Sequence, residues 1–200
     1  MGRNPEQNKI LRDVQQAKIL SVSLDLFVNR GFAATRIADI ATEAGISAGL
    51  LYHYFPSKDD ILAALLQESL PRMETAAQEL EALALPVADK IRLALQMLIK
   101  GILEHSETGK YHLLIAQVST SDVLPDAARA IIERHAYGPY QIMERLFARG
   151  QAEGSVRNGK PRELAMIFWA LVKGLSIHHA VHGKKLGTPT PETILPLFLK

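Results

Sequence analysis

The stretch from Thr35 to Lys58 reads TRIADIATEAGISAGLLYHYFPSK. Two short apolar-periodic runs meet at Gly45, a residue free to take the left-handed conformation that a sharp turn between packed helices requires. Ala41 stands one helical turn earlier and is small enough to let two helix backbones approach closely. Ile37, Ile40, Ala44, Ile46 and Leu51 supply apolar contact between the helices. Thr35 and Ser47 are each placed to cap a helix start, their hydroxyls reaching N–H groups that a first turn leaves orphaned. The spacing predicts a helix-turn-helix over residues 36–55.

Upstream, Ile10, Leu11, Val14, Ala17, Leu20, Leu24, Phe27 and Val28 recur at steps of three and four. They predict a bracing helix that presents one apolar face and ends near Arg30-Gly31. Phe32 follows as a pin between loop and core. Downstream, Pro56-Ser57 ends the third helix, and Ser57 with Asp60 forms a variant capping box for a fourth.

Beyond the motif the chain reads as helices of about 58–83, 87–105, 108–119, 125–153 and 161–182, with a short one near 191–199. Breaks are marked by Leu85-Pro86, Ser121-Asp122 with Pro125, Gly154 to Pro161 and Gly183 to Pro191. Gly138-Pro139 falls inside the 125–153 pattern and requires either a kink or two helices. Strand patterns, repeats and sustained heptads are absent. The expected fold is all-α, with a three-helix unit over 10–73 followed by a larger helical domain over 74–200.

With 200 residues, 48% of them hydrophobic, the chain can bury a sizeable core. It has no cysteine, so disulfide and thiolate-metal chemistry are excluded. The opening MGRNPEQNK lacks the apolar core of a signal peptide, and polar residues interrupt each apolar run, so a cytoplasmic protein with no membrane partner is expected. Met1 to Asp60 carries seven Lys/Arg against seven Asp/Glu, yet Gly45 to Lys58 holds no acidic residue. Placement therefore matters more than total charge, because phosphate attraction is screened beyond about 10 Å.

Gly31-Phe32, Thr35, Ile40-Ala41, Ala44 to Ser47, Gly49, Leu51-Tyr52, Tyr54-Phe55 and Ser57-Lys58 stand in register with the TetR family of bacterial transcriptional regulators, which this sequence resembles over roughly residues 13–73. The resemblance implies an all-α homodimer. Each protomer would hold a recognition helix in its N-terminal unit and a C-terminal domain for dimerisation and ligand binding. Typical members are repressors that leave a double-stranded DNA operator when a small-molecule effector binds.

On that reading the helix from Ser47 to Phe55 enters the major groove by its N-terminal end. The expected DNA-contacting set is Thr35, Arg36, Ser47, Ala48, Gly49, Leu50, Tyr52, His53 and Lys58. Tyr52 and Lys58 suit phosphate oxygens, as the matching residues do in the family. His53 can reach a phosphate or a base acceptor. Ala48, Gly49 and Leu50 allow close approach with few base-edge hydrogen bonds, and Arg36 is the best placed to reach guanine or to clamp the DNA backbone. Tyr54 and Phe55 read as core aromatics.

In the C-terminal part His178, His179 and His182 cluster on one helix, and the 178/182 pair has metal-ligand spacing. No carboxylate accompanies it in sequence, and a partly exposed, hydrogen-bonded histidine face is the expected arrangement. His105 and His112, with Glu104, Glu107 and Tyr111, read as a solvated turn, since no nucleophile or oxyanion donor goes with them. No catalytic residue, metal or cofactor is expected. Tyr111, Gln117, Tyr140, Met143, Trp169 and His178 have side chains suited to a ligand pocket. The segment Leu164 to Val181 is apolar nearly all round, and with Phe198 nearby it predicts a dimer interface through Phe168, Leu171, Leu175 and Phe198. The alternatives are an activator, or an all-α interaction or enzyme module with a degenerate motif.

Overall fold

The apolar steps of three and four become helices along the whole chain, and the computed structural model describes residues 5–104, 107–121 and 124–200. His105, read as a helix end, and Asp122, read as part of a break, lie outside the described residues. The order is α1 (Pro5–Arg30), α2 (Ile37–Ala44), α3 (Ala48–Tyr54), α4 (Lys58–Ala82), α5 (Val87–Leu103), α6 (Glu107–Val118), α7 (Asp126–His135), α8 (Gly138–Ala152), α9 (Pro161–His182) and α10 (Pro191–Ile194). Among the described residues the extended pairing is a single antiparallel bridge between Val156 and Leu199.

Two apolar clusters organise these helices. The first joins Ile19, Leu24 and Phe27 of α1 to Ile40, Leu51, Phe55 and Leu62, and takes in Tyr111, Leu114 and Val118 of α6. The second joins Ile91 and Leu95 of α5 to Leu146, Phe147, Phe168 and Val172, and is closed by Ile194 and Phe198. Along α4, Met73 packs on the first cluster and Ala77 and Leu80 on the second, so one helix serves both cores. Its far end is tied by Lys90, 2% exposed, whose ammonium donates to the Glu81 carbonyl at 2.6 Å. Arg145 of α8 adds a two-pronged bond to the Glu81 carboxylate at 2.8 and 2.6 Å, which holds that carboxyl below its ordinary pKa.

Two expectations need correction, and one open choice is decided. The apolar face of α1 continues through Ile10, Leu11 and Val14, but these are exposed, because no other described element reaches the first turns of that helix. The pattern over 125–153 is two helices. Gly138-Pro139 opens α8, where proline's missing N–H costs nothing, and a β carbon on Gly138 would lie 2.7 Å from the Glu74 carboxylate. Finally, α9 is long and apolar enough by length and composition to cross a membrane. Leu164, Phe168 and Val172 on its inner face are nonetheless packed in the second core.

Candidate nucleic-acid interface

The reading head is built from the loop after α1 upward. Gly31 takes φ 86° and turns the chain out of α1. Thr35 is 1% exposed, and its hydroxyl donates to the carbonyls of Gly31 at 2.9 Å and Leu26 at 3.3 Å. It therefore closes the end of α1 and does not cap α2, nor is it open to a ligand. Arg36 occupies the N-cap, its N–H donating to the Asp39 carboxylate at 3.0 Å. Gly45, at φ 69° and ψ 35°, ends α2 in the left-handed region, and the Ile46 N–H returns to the Ala41 carbonyl at 3.0 Å. Ser47 caps α3, its hydroxyl oxygen accepting from the Leu50 N–H at 3.1 Å.

This frame buries Leu51 and Phe55 against Ile40 and Ala44, packs Tyr54 half-buried on the same core, and turns the remaining side chains of α3 outward. Ser47, Ala48, Gly49, Leu50, Tyr52 and His53 are all exposed, as is Arg36 at the start of α2. Tyr52 shows 52% of its surface and Leu50 42%. The outward set pairs small residues that permit close approach with a phenol, an imidazole and a guanidinium able to bond oxygen or nitrogen acceptors. Such a surface can enter a groove.

Lys58 has partners other than those expected. Its ammonium donates to the carbonyls of Phe32 at 2.7 Å, Thr35 at 2.9 Å and Ala33 at 3.3 Å, and sits 4.5 Å above the Phe32 ring. It fastens the α1–α2 loop to the start of α4.

The family model for bacterial regulatory proteins, tetR family, matches residues 19–65, the helices that carry this surface. The crystal structure of the MbdR regulator from Azoarcus sp. CIB is similar at 32% identity. That alignment covers 92% of this chain and 94% of that one, with a TM-score of 0.73. The chain belongs to the TetR family. It is also similar to the transcriptional repressor KstR2 of Rhodococcus jostii, at 27% identity over 162 residues, 77% of this chain and 74% of that protein. To the transcriptional activator FasR of Mycolicibacterium smegmatis it is 28% identical over 113 residues; the match takes 56% of this chain and spans about half, 51%, of that relative.

In this TetR-family chain the expected ligand residues do not converge on one place. Tyr111 is buried in the first core, where desolvation and the nearby Glu68 and Glu107 push its phenol above the ordinary range. Gln117 donates to the Val28 carbonyl at 3.2 Å. Met143 is buried in the second core. His178 meets His182 with ring centroids 4.8 Å apart and planes tilted by 50°. Tyr140 and Trp169 do meet, at 5.8 Å. They are joined by two residues that sequence reasoning missed. His112 lies parallel to Trp169 at 6.2 Å, and the Lys173 ammonium lies 5.6 Å over the Tyr140 ring. The available signal was the i, i+4 spacing of Trp169 and Lys173. His112 is no solvated turn residue: burial, with the Lys173 charge nearby, lowers its pKa to about 4.

The dimer residues also need revising. Phe168 and Phe198 are fully buried against Phe147, the first edge-on at a centroid distance of 6.3 Å and the second stacked at 5.4 Å. Leu171 and Leu175 lean on the second core. A helix apolar all round has two candidate inner faces, and sequence does not say which turns inward. The outer face carries Met166, Ile167, Ala170, Gly174, Ile177 and Val181.

Proposed function

We propose that the chain is a homodimeric, sequence-specific DNA-binding transcriptional regulator, a repressor that a small-molecule effector releases from its operator. The observation that carries this reading is the α3 surface: Ser47, Ala48, Gly49, Leu50, Tyr52 and His53 project from a fully packed frame, with no acidic residue between Gly45 and Lys58 to repel phosphate. Such a regulator works where chromosomal DNA is, in the cytoplasm. Arg36, Tyr52 and His53 are the groups best placed to bond DNA, while Lys58 acts on the loop that presents them. The outer face of α9 supports the dimer. Ile167, Ala170, Gly174, Ile177 and Val181 form a seam, and two small residues at its centre allow close approach of a partner helix.

A route from the larger domain to the reading head is also present. From α6, Lys110 pairs with Asp25 of α1 and Gln117 donates to the Val28 carbonyl. Movement of α6 is thereby passed to the helix that braces α2 and α3.

The test is a gel shift with the DNA immediately upstream of the chain's own coding region. Retardation that survives excess competitor DNA supports the regulator, and loss of retardation under competitor argues for an interaction module. A reporter driven by that DNA separates the two directions of control: expression rises on deletion for a repressor and falls for an activator.

A further inference from the structure

Tyr140 at the start of α8, Trp169 and Lys173 on α9, and His112 on α6 form one cluster where three helices meet. The Trp169 indole N–H donates to the Pro139 carbonyl at 3.3 Å, which fixes the ring, and Tyr140 and His112 stand on it at 5.8 and 6.2 Å. Lys173 is half-buried beside them. Among the described residues no carboxylate lies within ion-pair distance of its ammonium. A half-buried ammonium set over an aromatic face, with no carboxylate partner, keeps donors that an anion can take up.

We propose that these four residues are the effector site and that its ligand is an organic anion with a flat apolar body, an aromatic carboxylate being the simplest member. This assignment rests on the ligand-released reading above. The charge of the ligand follows from Lys173. A cationic ligand would meet that ammonium inside the same box, whereas a carboxylate would pair with it by a charge-assisted hydrogen bond. The flat apolar body follows from the ring surfaces of His112 and Tyr140 gathered on Trp169 at 6.2 and 5.8 Å, tilted by 27° and 40°. His112, neutral above its lowered pKa, can offer a ring nitrogen to the ligand without adding charge. Since α6 also holds Asp25 and Val28 of α1, the ligand acts on the element that positions the reading head.

Trp169 is the sole tryptophan, so its emission reports on the site directly. The full-length protein is titrated with benzoate, with phenylacetate and with choline. A saturable change with either carboxylate and none with choline is expected. In Lys173→Met the carboxylate response should weaken at least about tenfold, the loss of one charge-assisted hydrogen bond. It should persist in Lys173→Arg, which keeps the charge and controls for folding. No saturable response to either carboxylate, an equal response to choline, or an undiminished response in Lys173→Met overturns the assignment. A gel shift on the same samples keeps the two readings apart. Carboxylate bound at Trp169 with DNA still held sinks the release reading and upholds the site. DNA released by another compound while carboxylates leave Trp169 unmoved sinks the site alone.

Discussion

The Lys58 ammonium donates to the Thr35 carbonyl at 2.9 Å, across 23 residues of chain. With the carbonyls of Phe32 and Ala33 it completes a cage that uses all three of its donors. A positive charge at the edge of a reading head thus holds its own backbone in place. Lys58→Met should weaken operator binding and also destabilise the fold by about 1 kcal/mol, the usual order for losing a charged donor to part-buried acceptors. The slope of log affinity against log salt should stay unchanged. A slope shallower by about 0.9 would mean instead that Lys58 neutralises a phosphate.

Tyr52 is the opposite case. Its phenol is exposed and serves no described partner on the chain's own core, so Tyr52→Phe should leave the melting temperature where it is. Operator affinity should fall by about 1 kcal/mol, equally on matched and mismatched operators. Fluorescence anisotropy against both DNA sequences checks this, and a loss confined to the matched operator would assign Tyr52 to base reading.

Gly109 and Gly101 mark a crossing that only glycine permits. A β carbon on Gly109 would stand 2.2 Å from the Gly101 carbonyl oxygen, a backbone atom that cannot swing aside. Gly109→Ala should therefore push α6 off α5 and cost about 1–3 kcal/mol or more in urea unfolding. Wild-type stability in that variant would show that the two helices do not pack so closely.

The two sides of α9 predict different failures. Ile167→Glu, on the outer face, should yield folded monomers by sedimentation and abolish binding to a two-half-site operator. Phe168→Ala, one residue on and fully buried, should lose about 3–5 kcal/mol of stability. Dimers persisting in Ile167→Glu at micromolar concentration would move the interface elsewhere.

Acid should act through His112. Its pKa falls from 6.5 in the unfolded chain to about 4 in the fold. Between those values the unfolded state binds the extra proton, so stability rises with pH. The contribution is fully present above about 6.5 and is lost as pH drops toward 4, at most about 3 kcal/mol. Urea melts at pH 7 and pH 4.5 should show a larger acid loss in the wild type than in His112→Phe. Equal losses would place the ring in water.

What the sequence determined by itself is the local frame. Gly45 ends one helix because few other residues accept φ 69°, Ser47 starts the next by its hydroxyl, and the period of Leu51 and Phe55 turns Tyr52 and His53 outward. Those choices are made within a few residues, where dihedral preference, capping and hydrophobic period decide the outcome. Thr35 already escaped that reach: its hydroxyl closes α1, nine residues back at Leu26, and does not open α2. Only the tertiary structure decided which side of α9 is inner, that Lys58 serves a loop 23 or more residues away, and that His112 lies against Trp169. These depend on which faces of separate helices meet, and a chain apolar on both sides of a helix leaves that choice to packing.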